Sequence, residues 1–302
     1  MDTKVCIIRA KLKKDYVYDA LSNYGYHIHT PYKGKGLFFR IVREIWFRCN
    51  LPGKYLWYKK DNGNDVFSHI LLFDPLITPD YIEWIHKQFP QCKIIISYEN
   101  RADKTINPDV IPSYVEKWSY DKDDCHKYGM HWSAPAFFSE YKRKQKTNPK
   151  IDVLYVGRDK GRAEKLFALE EQLKKEGLKT YFHICADRQF LRFTRKFYKR
   201  VLEYEEYLDL LVDSKAILNI VPEGQTSVTQ RELEAAFDGV KCITNNKGIK
   251  NFELYDESIY FVLGDDDLNS ISVFLNAETR KYGEEILRKY DFYYRVKQML
   301  YK

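Results

Sequence analysis

Two polar loops, each set between an apolar run and a helical pattern, carry the residues best suited to chemistry. The first reads Gly157-Arg158-Asp159-Lys160-Gly161-Arg162. Its glycines permit tight turns and close backbone approach, while Lys160 and Arg162 bring cations to a helix N-terminus. A phosphate fits such a place, and so does a plain strand–turn–helix connection with solvated charges. The second reads Pro222-Glu223-Gly224-Gln225-Thr226-Ser227-Val228-Thr229-Gln230-Arg231-Glu232-Leu233-Glu234. Ser227 with Gln230 spells a capping box, which predicts a helix from Val228. On that helix Ser227, Arg231 and Glu234 share an exposed face, and Leu233, Ala236 and Phe237 face the core. Hydroxyls and free N–H groups then stand at the tip (Gln225, Thr226, Ser227, Thr229), followed by a guanidinium and a carboxylate. That order matches a nucleoside diphosphate, with phosphates at the tip and on Arg231 and ribose hydroxyls on Glu234. An ordinary amphipathic helix with an Arg231–Glu234 surface pair is the competing reading.

The elements that must position these loops alternate between strand and helix, the signature of α/β architecture. In the first half the apolar runs 4–8, 69–73 and 93–98 read as strands. Helices follow over 16–24 and from Pro79, where Thr78 supplies a cap and Tyr81, Ile82, Ile85 and Phe89 share one face. The polar, basic stretch 140–150 is the linker candidate. Beyond it the pattern predicts strands over 151–156, 179–184, 216–221, 241–244 and 259–263. Helices are predicted over 163–175, 207–212 and 228–237, with a last helix over 284–301 and a basic-aromatic helical stretch around 190–200. The expectation is two Rossmann-like, doubly wound domains facing a cleft. Residues 1–145 form the first, 146–302 the second, and the last helix packs back on the first.

The stretch from Gly224 to Ala236, followed by Lys241-Cys242-Ile243-Thr244-Asn245-Asn246, resembles the donor-binding segment of bacterial GT-B-fold glycosyltransferases. The likeness is to those of lipopolysaccharide, capsule and exopolysaccharide assembly with a group 1-like C-terminal domain. Tyr155-Val156-Gly157-Arg158-Asp159-Lys160-Gly161-Arg162 is similar to the matching first loop of that domain. Trp118-Ser119-Tyr120-Asp121, with Asp124-Cys125 and Tyr128-Gly129, is similar to a segment late in their N-terminal domain. The resemblance implies a nucleotide-sugar donor and a lipid-linked or polysaccharide acceptor. It also gives Glu234 the place of the second Glu of a Glu-x7-Glu pattern that binds the donor ribose. The first Glu is replaced by Thr226, which leaves the sugar and the stereochemical outcome open.

Transfer with such a donor needs positive potential on the leaving diphosphate, which Lys160, Arg162, Arg231 and the helix N-terminus would supply, with Gly157 letting the backbone approach the phosphate. An inverting course also needs a base for the acceptor hydroxyl. Glu99, at a predicted strand end, is the first candidate and Asp74 the second; each also fits a turn cap. No metal or other cofactor is expected. Asp121-Lys122-Asp123 and Asp265-Asp266-Asp267 read as helix starts, and the seven His residues form no zinc spacing. Two further readings stand beside the transferase: a nucleotide-sugar epimerase of GT-B type, and a noncatalytic partner in polysaccharide assembly.

Composition bounds these readings. With 302 residues, 31% charged and 44% hydrophobic, the chain can build packed cores. Its six cysteines include no Cys-x-x-Cys pair, which argues against disulfide or zinc-ribbon scaffolds. No run reaches the length of a membrane span and the first residues do not read as a leader, so a cytoplasmic protein is expected. Residues 32–60 hold eight cations and one acid, with Leu37, Phe38, Ile41, Val42, Ile45 and Trp46 at helical spacing. A basic amphipathic helix with Arg40, Arg43, Trp46 and Arg48 suits the inner membrane surface as a peripheral contact. A core-facing helix with a solvated basic side fits as well. Nucleic acid is not an expected partner, since no nucleic-acid motif accompanies the basic stretch 190–200.

Overall fold

The computed structural model describes residues 4–10, 16–34, 36–60, 66–135 and 137–301; Lys35 and the first three residues, used above, lie outside them. The chain forms two compact units, one of Met1–Ala134 with Arg295–Lys302, the other of Pro135–Tyr294.

In unit 1 the elements run β1 (Val5–Ile8), α1 (Tyr16–Asn23), β2 (His27–His29), α2 (Leu37–Arg48), β3 (His69–Phe73), α3 (Pro79–Gln88), β4 (Lys93–Tyr98), β5 (Val115–Ser119), α4 (Lys122–Tyr128) and β6 (His131–Trp132). The six strands form one sheet in the order β2-β1-β3-β4-β5-β6, and each pairing is parallel. The Ile94-Ile95-Ile96 run of β4 is buried throughout, as expected of a strand covered on both faces. Thr78 caps α3 by accepting from the Tyr81 N–H, with Pro79 at the first helical position. Asp121 caps α4 by accepting from the N–H groups of Asp123 and Asp124. The strands β2, β5 and β6 are additions to the sequence reading. Two are very short, and β5 is interrupted by Glu116 and Lys117.

In unit 2 the order is β7 (Ile151–Arg158), α5 (Ala163–Lys175), β8 (Thr180–Cys185), α6 (Tyr204–Val212), β9 (Ser214–Asn219), α7 (Gln230–Asp238), β10 (Lys241–Thr244), β11 (Tyr260–Val262), α8 (Ile271–Asn276), α9 (Glu284–Arg288) and α10 (Phe292–Tyr301), the last crossing into unit 1. The sheet order is β11-β10-β9-β7-β8, again wholly parallel. Successive residues of one strand feed different cores: Val153 and Tyr155 join one apolar cluster, Leu154 the other, and Leu218 and Ile217 divide likewise. Side chains alternate across a sheet, so this division means that both faces are covered. Both units are therefore doubly wound α/β layers, the predicted fold class.

Three local expectations are corrected. The basic-aromatic stretch is a 3-10 turn over Gln189–Thr194 followed by a further turn; Phe190 and Phe193 are exposed, and among its described residues only Phe197 and Tyr198 pack on the core, too few to bury one face of a helix. The last helix is two, since Asp291 turns its carboxylate on the N–H groups of Tyr293 and Tyr294 and starts a new one. The polar stretch read as a linker is bound to unit 2. Tyr141 meets the Tyr204 ring edge-on, the Arg143 N–H donates to Asp238, and the Gln145 side chain donates to the Ser214 carbonyl.

Candidate functional site

In unit 2, β7 has β8 on one side and β9 on the other, so the winding reverses between β7 and β9. Ligands of open α/β sheets sit at the carboxyl ends of the strands where this reversal falls. A cavity of about 610 Å³ lies there, walled by residues that follow β7, β9 and β10. Its polar rim is Arg162, Lys165, Glu223, Gln225, Thr226, Asn245 and Lys247, and Leu166, Leu169, Ile220 and Val221 supply an apolar wall.

The loop after β7 is fixed by Asp159. Its carboxylate accepts the N–H groups of Arg162 and Ala163, starting α5, and the Tyr198 hydroxyl at 2.6 Å. Lys160 and Gly161 both adopt left-handed φ, and the Lys160 N–H donates to Asp187. Arg162 is bound inward: its guanidinium donates to the carbonyls of Ile220 and Arg158 and to the Tyr155 hydroxyl. It thereby ties the exits of β7 and β9 together. Partial burial, then the charges of Arg162 and Arg231, lower the Lys160 pKa against the opposing pull of Asp187.

The loop after β9 is held by a buried polar network. Asn245 accepts the Val221 N–H and returns a bond to the Val221 carbonyl. Asn246 donates to the Ser227 carbonyl and to Glu232, and Glu232 also accepts from the Thr229 N–H and the Thr244 hydroxyl. Gly248 packs so tightly on this loop that an added Cβ would overlap the Thr226 carbonyl oxygen. The helix start is corrected accordingly. Thr229 and Glu232, not Ser227 and Gln230, form the capping box, and α7 begins at Gln230. Thr229-x-x-Glu232 is the stronger box because its glutamate is fully buried among three donors.

Arg231 lies against Gly157, where a Cβ would crowd the Tyr155 hydroxyl and approach the guanidinium. The Arg231 guanidinium donates to the Val156 carbonyl, and its buried Nε has no hydrogen-bond partner among the described residues. Glu234 departs from the expected exposed face. It is buried, and its two oxygens accept the hydroxyls of Tyr204 and Tyr207 from α6. Burial raises its pKa against the pull of Tyr207 and Arg231. The reason is that α7 is covered nearly all round, by α6 as well as by the sheet. Of the expected residues, Arg162, Gln225 and Thr226 line the cavity. Gly157, Lys160 and Arg231 group beside the β7 exit, Ser227 and Thr229 are held in the loop network, and Glu234 stands behind Arg231. Sequence reasoning missed Asn245, Asn246 and Glu232, although the Thr-x-x-Glu spacing signalled the last.

Unit 1 has its own switch point, between β1 and β3, and gathers different groups there. Asp74 follows β3, Glu99 follows β4 and Arg9 follows β1. Asp74 is 1% exposed and accepts from the Glu99 N–H at 2.7 Å and the Asn100 side chain at 3.1 Å. Burial pushes its pKa up to about 6, against those two bonds. Glu99 pairs with Arg9 at 3.2 Å, its side chain 22% exposed. From α10, the buried Arg295 donates to the Ser97 hydroxyl at 3.0 Å. Burial pushes its pKa down to about 10, opposed by Glu99 and Asp74.

On α2, Arg43 corrects the expected basic face. It is buried, its guanidinium over the Tyr32 ring at 4.2 Å, while Arg40 and Arg48 are exposed. Trp46 is half-buried and donates to the Pro52 carbonyl. No helix among the described residues is long and apolar enough to cross a membrane, and none of their His, Cys, Asp and Glu side chains form a metal-holding group of three.

No family model and no curated protein matches this chain. Among solved structures it is similar to a Listeria monocytogenes protein assigned as a UDP-N-acetylglucosamine 2-epimerase. The identity is 11% and the TM-score 0.47, over 99% of this chain and 95% of the other.

Proposed function

We propose that the chain is a glycosyltransferase that binds the nucleoside diphosphate of a nucleotide-sugar donor at the β7–β9 switch point. The observation that carries this reading is the cation group there. Arg162 lines a cavity of about 610 Å³, Lys160 and Arg231 stand at the neighbouring exit of β7, and Arg231 keeps a buried N–H with no partner among the described residues. A diphosphate would satisfy that donor, and the apolar wall of Leu166, Leu169 and Ile220 suits a nucleobase. As the sugar–phosphate bond breaks, negative charge grows on the leaving diphosphate, and fixed cations stabilise that charge in the transition state. Glu234 acts as a positioning group for Arg231, because its own oxygens are held by Tyr204 and Tyr207. The acceptor is a bacterial surface glycan, and Glu99 takes the proton of its hydroxyl in an inverting course. Asp74, more deeply buried, fixes the Glu99 backbone.

The test is to incubate the protein with nucleotide-sugars and lipid-linked glycan acceptors and to follow the anomeric signals by NMR. The reading predicts acceptor-dependent release of nucleoside diphosphate and a new glycosidic bond. Donor converted to its epimer without acceptor would replace transferase by epimerase. Absence of both turnover and nucleotide binding would leave a noncatalytic partner.

A further inference from the structure

An amphipathic helix in a soluble fold turns its apolar stripe to the core. The helix α2 leaves one apolar stripe outside. Phe38, Ile41 and Ile45 stand at i, i+3 and i+7 on one stripe, and they are 72%, 46% and 54% exposed. Toward the core it sends Arg43, seated on the Tyr32 ring, and beside it the partly buried Phe47. Tyr32 in turn meets Phe47, Tyr58 and Tyr81 at ring centroid distances of 5.6–6.0 Å, so an aromatic cluster holds the helix in this orientation. The following 3-10 turn, Lys54–Trp57, adds the exposed Tyr55 and Leu56. Three apolar side chains on one helical stripe form a patch, which isolated exposed residues do not.

Charge identifies what would cover it. Arg48 continues the stripe at i+3 from Ile45 and is exposed, as are Lys33, Lys59 and Lys60. The acid on the helix, Glu44, is occupied by Arg40. We propose that this face seats on an anionic lipid bilayer, with Phe38, Ile41 and Ile45 among the acyl chains and Arg48 at headgroup level. Apolar insertion and attraction to anionic headgroups act together at such a surface. The proposal is independent of the sugar-transfer reading: it requires no nucleotide and concerns unit 1 alone.

Cosedimentation with vesicles of phosphatidylglycerol and phosphatidylcholine tests it. The wild type is expected to bind vesicles rich in phosphatidylglycerol, more weakly as salt rises, and to ignore pure phosphatidylcholine. The triple variant F38S/I41S/I45S should lose at least about tenfold in vesicle affinity, with its circular dichroism unchanged. R48Q should weaken binding less and reduce its salt dependence. A wild type that binds no vesicle, or a triple variant that binds as well as wild type, overturns the proposal. So does light scattering that shows a wild-type dimer converted to monomer by the triple substitution, since the stripe would then be a contact between copies. An R43Q variant supplies a further check. Because Arg43 is internal, its loss should lower the melting temperature without changing the salt dependence of vesicle binding.

Discussion

The two switch points of this molecule are built on the same backbone plan and filled with opposite chemistry. Each lies where a parallel sheet reverses its winding, between β1 and β3 in unit 1 and between β7 and β9 in unit 2. In unit 1 the strand exits carry two carboxylates, Glu99 paired with Arg9 and Asp74 held by the Glu99 N–H and the Asn100 side chain. In unit 2 the exits carry Lys160, Arg162 and Arg231, with a cavity and a loop of hydroxyls and glycine in front. The lesson is that the fold decides where groups converge, and the residues at the strand ends decide the sign of the field. An acid-lined point suits a hydroxyl that must lose a proton. A cation-lined point suits a diphosphate that must leave.

The comparison breaks most readily through backbone packing in unit 2. In a Gly248→Ala variant the added methyl would overlap the Thr226 carbonyl, with the Thr226 Cα only 2.8 Å away. We expect a loss of about 2 kcal/mol or more in stability and of nucleotide binding, read by thermal melts with and without ligand. Gly283→Ala, where a Cβ meets nothing within 4 Å, should be neutral in both. Next in size is Arg231→Ala. It should weaken nucleoside diphosphate binding by about 10- to 100-fold, the worth of a charged hydrogen bond, and nucleoside binding far less. Calorimetry checks the difference, and an equal loss of both would remove the phosphate contact.

Asp74→Asn sharpens the other side of the comparison. The folded protein holds the Asp74 proton up to about pH 6, whereas an unfolded chain releases it near about pH 4. Folding therefore takes up a proton between these values, and this group's contribution to stability falls as pH rises from about 4 to about 6, then levels off. The variant should flatten that part of the stability profile, measured by denaturant melts across the range. Nucleoside diphosphate affinity should stay as in wild type. The smallest effect belongs to Lys247→Ala, on the exposed rim and already paired with Asp265 at 2.5 Å. A loss of about threefold or less in affinity is expected, in keeping with a solvated ion pair.

The sequence made the strands and helices legible wherever apolar runs were continuous. The bounds of β3, β4, α5 and β10 coincide with the patterns that predict them. Both switch-point loops were visible as polar breaks after such runs. What the sequence concealed was direction. Glu234 and Arg43 sit on helical faces that a period of 3.6 marks as polar, yet tertiary partners bury both. Tyr204 and Tyr207 approach Glu234 from 30 and 27 residues away, and Tyr32 approaches Arg43 from the preceding loop. No local pattern announces a tyrosine arriving from another element. The capping residue of α7 was misplaced for a related reason. Two overlapping boxes compete there, and the winner is decided by Asn246 and Thr244, which come later in the chain.

Hydrogen exchange of the backbone amides, with and without a panel of nucleoside diphosphates, tests the central claim most directly. The account predicts that at least one of them slows exchange over 157–162 and 222–231 and leaves 97–101 unchanged. Protection confined to the strand exits of unit 1, or none anywhere at saturating nucleotide, would contradict it.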